Sequence, residues 1–318
     1  MIFRFIVPLL FLSAAFGSSV EAKPKLKVVS SIPDLSWVVS EIGKDRVDAV
    51  ALLRGTENPH YIDAVPEFVR IMASADVACI VGLDLEVGWI PPVLARSGNA
   101  KVQPGGMGYC ETGKAVSALD KPTGPVDRSM GDVHPHGNPH FYLSPTALGH
   151  AATVMTQTLK NVDPLHAGFY EKNLVAFQSA MKNLTAKIHK KLEPVRQVQA
   201  ASGRPLVIEY HREFTYFFAE YGLDSLGAVE EKPGVPPSAG RIGTLAQSMR
   251  AAGVRLILAA DYSPTGALER LSEMSGAKLL RLPTMMQARG INDYEGLQEH
   301  LAKLVLDHAT TDARSLVR

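Results

Sequence analysis

The chain has 318 residues, with 33 Lys and Arg against 32 Asp and Glu and a formal net charge of +1 at pH 7. So even a balance argues against a nucleic-acid or anionic-membrane partner held by bulk electrostatics. The length fits two domains of roughly 100–200 residues each, and a hydrophobic content of 46% suits a globular chain with a sizeable core.

The N-terminus reads as a leader. Arg4 supplies a positive start, Phe5 to Phe16 form a short apolar run, and Val20-Glu21-Ala22 ends in the small residue that signal peptidase prefers. Cleavage after Ala22 is expected, so the signal peptide is 1–22 and the mature chain starts at Lys23. The run falls short of the roughly 20 residues of a membrane span. No cysteine lies near the cleavage point, which argues against a lipid anchor. The expected location is the periplasm, where a bridge between Cys79 and Cys110 is permitted. Cys79 also suits a buried strand in which a thiol simply fills space, and both readings stay open.

Short β-rich runs then alternate with helical patterns, which predicts an α/β fold with parallel-type sheets. Lys27–Ser31 reads as a strand, Pro33–Ile42 as a helix and Val47–Leu52 as a strand. A loop holding His60 follows, then a helix near Pro66–Ala73, a strand at Val77–Val81, a helix near Val87–Arg96 and a short strand at Lys101–Gln103. Residues 105–139 are rich in Gly, Pro and charge without periodicity, and a loop of that length is usually functional or disordered.

From Thr146 the pattern turns helical. Between His166 and Leu192, Leu174, Phe177, Met181, Leu184 and Ile188 recur at three- and four-residue steps. Such a helix is about 40 Å long, enough for a rigid spine between two lobes, and Pro194 ends or kinks it. A second αβ unit has strands at Leu206–Glu209, Leu226–Val229, Arg255–Ala260 and Lys278–Leu282. Its helices are expected at Phe214–Tyr221, at Arg241–Ala252, after Pro264 and at Tyr294–His308, and Glu209 is expected to face outward. The expected division is an N-terminal lobe at 23–160 with its histidine-containing loop at 105–139, a linking helix at 161–200 and a C-terminal lobe at 201–318.

The chemistry gathers on histidines. His134, His136 and His140 fall within seven positions, and Asn138-Pro139-His140 repeats the tripeptide Asn58-Pro59-His60. Proline fixes the backbone ahead of each ring, so two such loops suggest two walls of one metal site. His60 and His211 follow predicted strands, at the carboxyl rim where open αβ sheets bind ligands. Three neutral imidazoles suit a borderline-soft divalent ion, with zinc ahead of manganese, whereas copper and nickel are not excluded by ligand type. His134 and His136 are read as an auxiliary metal trap at the mouth, with a solvated turn and primary ligation as alternatives.

With these residues assembled, the chain resembles the metal-specific solute-binding proteins of bacterial ABC importers, the zinc and manganese receptor family. Asn58-Pro59-His60 with Pro66 is similar to the first ligand motif, Gly137-Asn138-Pro139-His140-Phe141-Tyr142-Leu143 to the second and Tyr210-His211-Arg212-Glu213-Phe214 to the third. Gly82-Leu83-Asp84-Leu85-Glu86 with Trp89, and Lys232-Pro233-Gly234-Val235-Pro236-Pro237-Ser238, are further family-like stretches. The resemblance implies two αβ lobes joined by one long rigid helix, with the metal held in the interlobe cleft by His60, His140 and His211. It implies capture of a divalent transition metal, Zn2+ as bound cargo, by a monomer that delivers it to an ABC permease without chemistry on the ion. A periplasmic metallochaperone is a candidate donor.

Two departures stand out. Leu143-Ser144-Pro145 replaces a Leu-Asp-Pro ending, and Leu282-Pro283-Thr284-Met285-Met286 holds no carboxylate where many members place an acidic fourth ligand. Asp261 is the nearest substitute, with a turn or cap role as its alternative and water or another carboxylate as the other candidates for that position. The competing readings are an exported zinc-dependent hydrolase, for which no His-Glu-x-x-His is present, and a metal-buffering or adhesin protein on the same fold.

Overall fold

The computed structural model describes residues 24–127, 130–131 and 133–310, so the leader expected at 1–22 lies outside the described residues. Its first sheet contains β1 (Leu26–Ser30), β2 (Val47–Ala51), β3 (Val77–Ile80) and β4 (Tyr109–Glu111), all parallel, in the order β2-β1-β3-β4. The helices α1 (Pro33–Gly43), α2 (Pro66–Ala73) and α3 (Ile90–Ser97) make the crossovers, each with proline in its first turn, where the missing N–H costs nothing. The second sheet repeats the scheme as β6-β5-β7-β8, from β5 (Val207–Glu209), β6 (Ser225–Ala228), β7 (Leu256–Ala260) and β8 (Lys278–Leu282). Its helices are α7 (Thr215–Tyr221), α8 (Ala239–Ala252), α9 (Gly266–Ser275) and α10 (Tyr294–Ala309). The expected fold class therefore holds: two parallel-sheet αβ lobes.

Between them run α4 (Pro145–Val162), α5 (Ala167–Lys191) and α6 (Glu193–Ser202). The stripe Tyr170, Leu174, Phe177, Met181, Leu184 and Ile188 of α5 is buried. At 1.5 Å per residue α5 is about 38 Å long, and one continuous apolar core runs along it from the first lobe into the second. Trp37 of α1 lies 5.4 Å from Phe177 of α5 and stacks on Tyr294 of α10 at 5.5 Å between centroids. Tyr294 Oη donates to the Tyr142 carbonyl at 2.7 Å, and the buried Gln298 amide donates to the Leu143 carbonyl at 3.1 Å. The C-terminal helix thus grips the segment that carries His140. Gly55, at φ +84°, lies so close to the Met286 carbonyl that a Cβ there would stand 2.0 Å from the oxygen.

Three local expectations are corrected. Residues 100–102 form a 3-10 turn, not a strand, because the Asn99 side chain accepts from the Lys101 N–H and caps it. The edge strand is β4, inside the segment expected to be loop; three residues behind Gly105, Gly106 and Gly108 are too few to show a period. Glu209 does not face out. It is 2% exposed, and its carboxylate accepts from the Phe214 N–H at 2.8 Å and the Thr215 hydroxyl at 3.2 Å. Alternation misleads there because a central parallel strand is covered on both faces. Cys79 and Cys110 occupy opposite positions of the β3–β4 ladder as buried free thiols. Among the described residues no helix is long and apolar enough to cross a membrane.

Candidate metal centre

Both Asn-Pro-His segments fold into the same turn. The Asn58 side-chain oxygen accepts from the His60 N–H at 3.1 Å, and that of Asn138 accepts from the His140 N–H at 2.9 Å. An asparagine bonding its own backbone two residues on, around a proline of fixed φ, aims the following ring. The first turn is held by Trp89, whose indole N–H donates to the Pro59 carbonyl at 2.9 Å. The second is pinned across the cleft: the Asn138 amide donates to the Arg212 carbonyl at 2.7 Å, and the Tyr216 hydroxyl donates to the Asn138 carbonyl at 2.8 Å. His211 needs no such turn, since Tyr210 still pairs with the sheet through Leu258 and Glu230. All three rings lie beyond the carboxyl ends of strands, where the two lobes face each other.

Ligand atoms of His60, His140 and His211 lie within 4.8 Å of one another. His60 Nε2 and His140 Nε2 are 3.1 Å apart, close to the roughly 3.3 Å edge of a tetrahedron built on zinc–nitrogen bonds of about 2.0–2.1 Å. The ring centroids are separated by 5.1, 5.2 and 5.5 Å, with interplanar angles between 62° and 89°. Edges pointing at a common centre, rather than faces packed together, describe a ligand cage.

The outer nitrogens of His211 and His140 are occupied. His211 Nδ1 pairs with Glu230 Oε2 at 2.9 Å, and the same oxygen accepts from the Gly234 N–H at 2.9 Å. His140 Nδ1 faces the Tyr142 hydroxyl at 2.8 Å. The Glu230 carboxylate accepts from Nδ1–H of His211, and in the neutral ring this leaves the Nε2 lone pair for the cleft. Burial, reinforced by neighbouring imidazoles, holds His60 and His140 well below the usual histidine pKa, so both rings are neutral near pH 7. Burial pushes His211 the same way, but the Glu230 hydrogen bond and the charges of Glu213, Glu230 and Glu209 outweigh it and leave its pKa raised. The metal-free site thus holds two rings that stay unprotonated and one that competes for a proton.

The remaining sequence-predicted residues lie apart from this cluster. The ring of His134 lies 5.1 Å from that of His60 and is lowered to about 4 by burial and the His211 charge. His136 is exposed and pairs through Nδ1 with Asp84 Oδ2 at 2.7 Å. Asp261 is gripped by the Arg289 guanidinium, with Nε 2.8 Å and Nη2 2.5 Å from its two oxygens. Glu230 and Tyr142 were given no role of their own by the sequence, and Glu213 stood out only as the acid two residues beyond His211; its buried Oε2 has no hydrogen-bond partner among the described residues. Tyr142 stands two residues beyond His140, and a sharper reading of that spacing finds it. Glu230 lies 19 residues from His211 and is signalled only by the turn-forming Lys232-Pro233-Gly234 that wraps its carboxylate.

Two parallel-sheet lobes tied by one long helix, with ligands gathered between them, form the architecture of binding proteins that serve membrane importers. The chain belongs to the family described as "ZnuA: Zinc-uptake complex component A periplasmic", which its residues 28–306 match. It is 27% identical over 253 residues to the metal ABC transporter substrate-binding lipoprotein FimA of Streptococcus parasanguinis, covering 77% of this chain and 75% of that protein. The fold is similar to a crystal structure of ZnuA, with a TM-score of 0.73 and 21% identity over 90% of this chain and all of that one. It is also similar to FpvC of Pseudomonas aeruginosa in complex with Ni2+, at a TM-score of 0.71 and 22% identity over 92% and 98% of the two chains.

Proposed function

We infer that this protein captures a divalent transition metal, with zinc as its cargo, in the periplasm and delivers it to the permease of an ABC importer. The observation that carries the reading is the closed triangle of His60, His140 and His211 within 4.8 Å, drawn from both lobes. Neutral imidazoles suit zinc, whereas manganese prefers a richer oxygen set. Nickel binds nitrogen sites strongly as well, so the ion carried in the cell also depends on what the compartment supplies.

Family members are transport-binding proteins, and the cage holds the ion without transforming it. His136, exposed and loosely paired, suits the auxiliary capture role at the rim, and Asp261 reaches a metal only by leaving Arg289. Export follows from the leader ending at Ala22, and the absence of a cysteine beside it supports release without lipid; intact mass of the mature protein checks both. A monomeric chain loaded by a periplasmic metallochaperone fits the single shared cleft.

The test is zinc titration of chelator-stripped mature protein beside His60→Ala and His211→Ala. One tight equivalent, lost in both variants, is expected. Tight binding that survives both changes places the site elsewhere and sinks the reading.

A further inference from the structure

We propose that His134 is the fourth metal donor, closing the three-histidine cage into an all-imidazole tetrahedral site. The proposal rests on the three-ligand reading above and extends it to a residue outside that cluster.

The first observation is an orphaned atom. Nε2 of His134 is buried and has no hydrogen-bond partner among the described residues. A buried polar atom left unpaired costs roughly 1–3 kcal/mol, a cost that ligation of a cation would relieve. The second observation is position. The His134 ring lies 5.1 Å from His60 at an interplanar angle of 34°, no farther than His60 lies from His140. It is outside the set whose ligand atoms close to 4.8 Å, so ligation requires its ring to move toward the cage on loading.

The third observation is how the residue is held. The Gly137 N–H donates to the His134 carbonyl at 3.1 Å, so His134-Pro135-His136-Gly137 is a tight turn with proline at its second position. Gly137 has φ +106°, and a Cβ there would meet Ala118 at 2.7 Å, which seats one end of the turn on the first lobe. His136 ties the same turn to Asp84. The turn holds the backbone while Nε2 of the ring is left without a protein partner, as a donor that completes a site on loading requires. Asp261, the carboxylate the sequence offered for this position, is held by both guanidinium contacts of Arg289.

A fourth neutral imidazole has a consequence for selectivity. It adds a nitrogen where other receptors use oxygen, and so favours zinc and cobalt over the harder manganese ion.

The test uses full mature protein loaded with Co2+, whose visible absorption reports coordination number, together with competitive zinc and manganese titrations. His134→Gly is compared with His150→Gln, an exposed histidine of α4 outside the site, and with His211→Ala. The expected result is a tetrahedral cobalt spectrum for the wild type and for His150→Gln. For His134→Gly we expect an altered spectrum, restored by added imidazole, at least about a tenfold loss of zinc affinity, the lower bound set by what residues behind the ligands contribute, and a reduced zinc-to-manganese preference. Rescue by free imidazole distinguishes a donor from a residue that merely shapes the loop. An unchanged spectrum and affinity in His134→Gly, with binding lost in His211→Ala, overturns the fourth-donor assignment and leaves the three-histidine site standing. Binding that survives His211→Ala overturns both.

Discussion

Glu230 never reaches the cleft centre, yet replacing it by glutamine should loosen the metal and change how binding responds to acid. Its Oε2 lies 2.9 Å from His211 Nδ1 with the two side chains only 8% and 12% exposed, so the bond is charge-assisted and poorly screened. Such bonds contribute about 1.5–3 kcal/mol. Glutamine keeps an acceptor oxygen for Nδ1–H and the Gly234 N–H but removes the charge, so about half of that is lost. Half of that range is about 0.8–1.5 kcal/mol, roughly a four- to twelvefold loss of affinity at about 1.4 kcal/mol per tenfold, which reaches the lower end of the 10–100-fold range for residues that orient a ligand from behind.

The acid response follows from the raised pKa of His211. A proton on that ring must leave before the metal binds, so wild-type affinity falls as pH drops through the raised value, approaching tenfold per pH unit below it. Removing the carboxylate charge lowers the pKa and postpones that competition. The deficit of Glu230→Gln is therefore expected to be full near about pH 8.5 and to narrow toward about pH 6. Chelator-competition titrations at several pH values measure it. A deficit that is absent, or constant across the range, refutes the assignment of Glu230 as the residue that tunes His211.

Gly55→Ala forces a Cβ to within 2.0 Å of the Met286 carbonyl at a residue of φ +84°, and should cost at least about 1–3 kcal/mol in urea unfolding; a change below about 0.5 kcal/mol, the ordinary range for surface substitutions, contradicts the close contact. Asp34 is buried with its pKa pushed up to about 7 by desolvation, against an ordinary value of 3.8, while its Oδ2 accepts from the Met286 N–H. Since the folded state holds that proton more tightly, the stability from burying the neutral acid is complete below about pH 4 and lost as pH rises through about 7. Asp34→Asn should therefore match the wild type near pH 4 and exceed it near pH 8 by on the order of 2–4 kcal/mol, and equal stability at both refutes the assignment. Asp261→Asn should leave zinc affinity within about twofold, because the carboxylate serves Arg289 in an exposed pair worth at most about 1 kcal/mol; a larger loss returns Asp261 to the metal.

What could be read from residue order was local. The doubled Asn-Pro-His was legible because the turn that aims each ring is closed by its own asparagine. The spine was legible because Leu174 to Ile188 keep helical spacing over several turns. Glu230 and the Arg289 grip on Asp261 were not, since each is a pairing across 19 or 28 residues that only the assembled second sheet creates. β4 escaped because three residues carry no period, and Glu209 was turned the wrong way because a strand covered on both faces does not announce its inner side. His134 shows the same limit: its turn is written in Pro135 and Gly137, but the burial of its Nε2 without a hydrogen-bond partner belongs to the folded cleft.

The continuous core that runs along α5 from one lobe into the other has a consequence for the partner downstream. A receptor whose halves are joined in this way is expected to offer the ion a finished socket, with little redrawing of the molecule's silhouette on loading. A transporter that must ignore empty receptors therefore has little large-scale motion to sense. The change expected is local: two positive charges arrive in a pocket lined by Tyr61 and Pro236 beside His60 and His211. Recognition of cargo has to be read there, as a shift in local charge and stiffness rather than in shape.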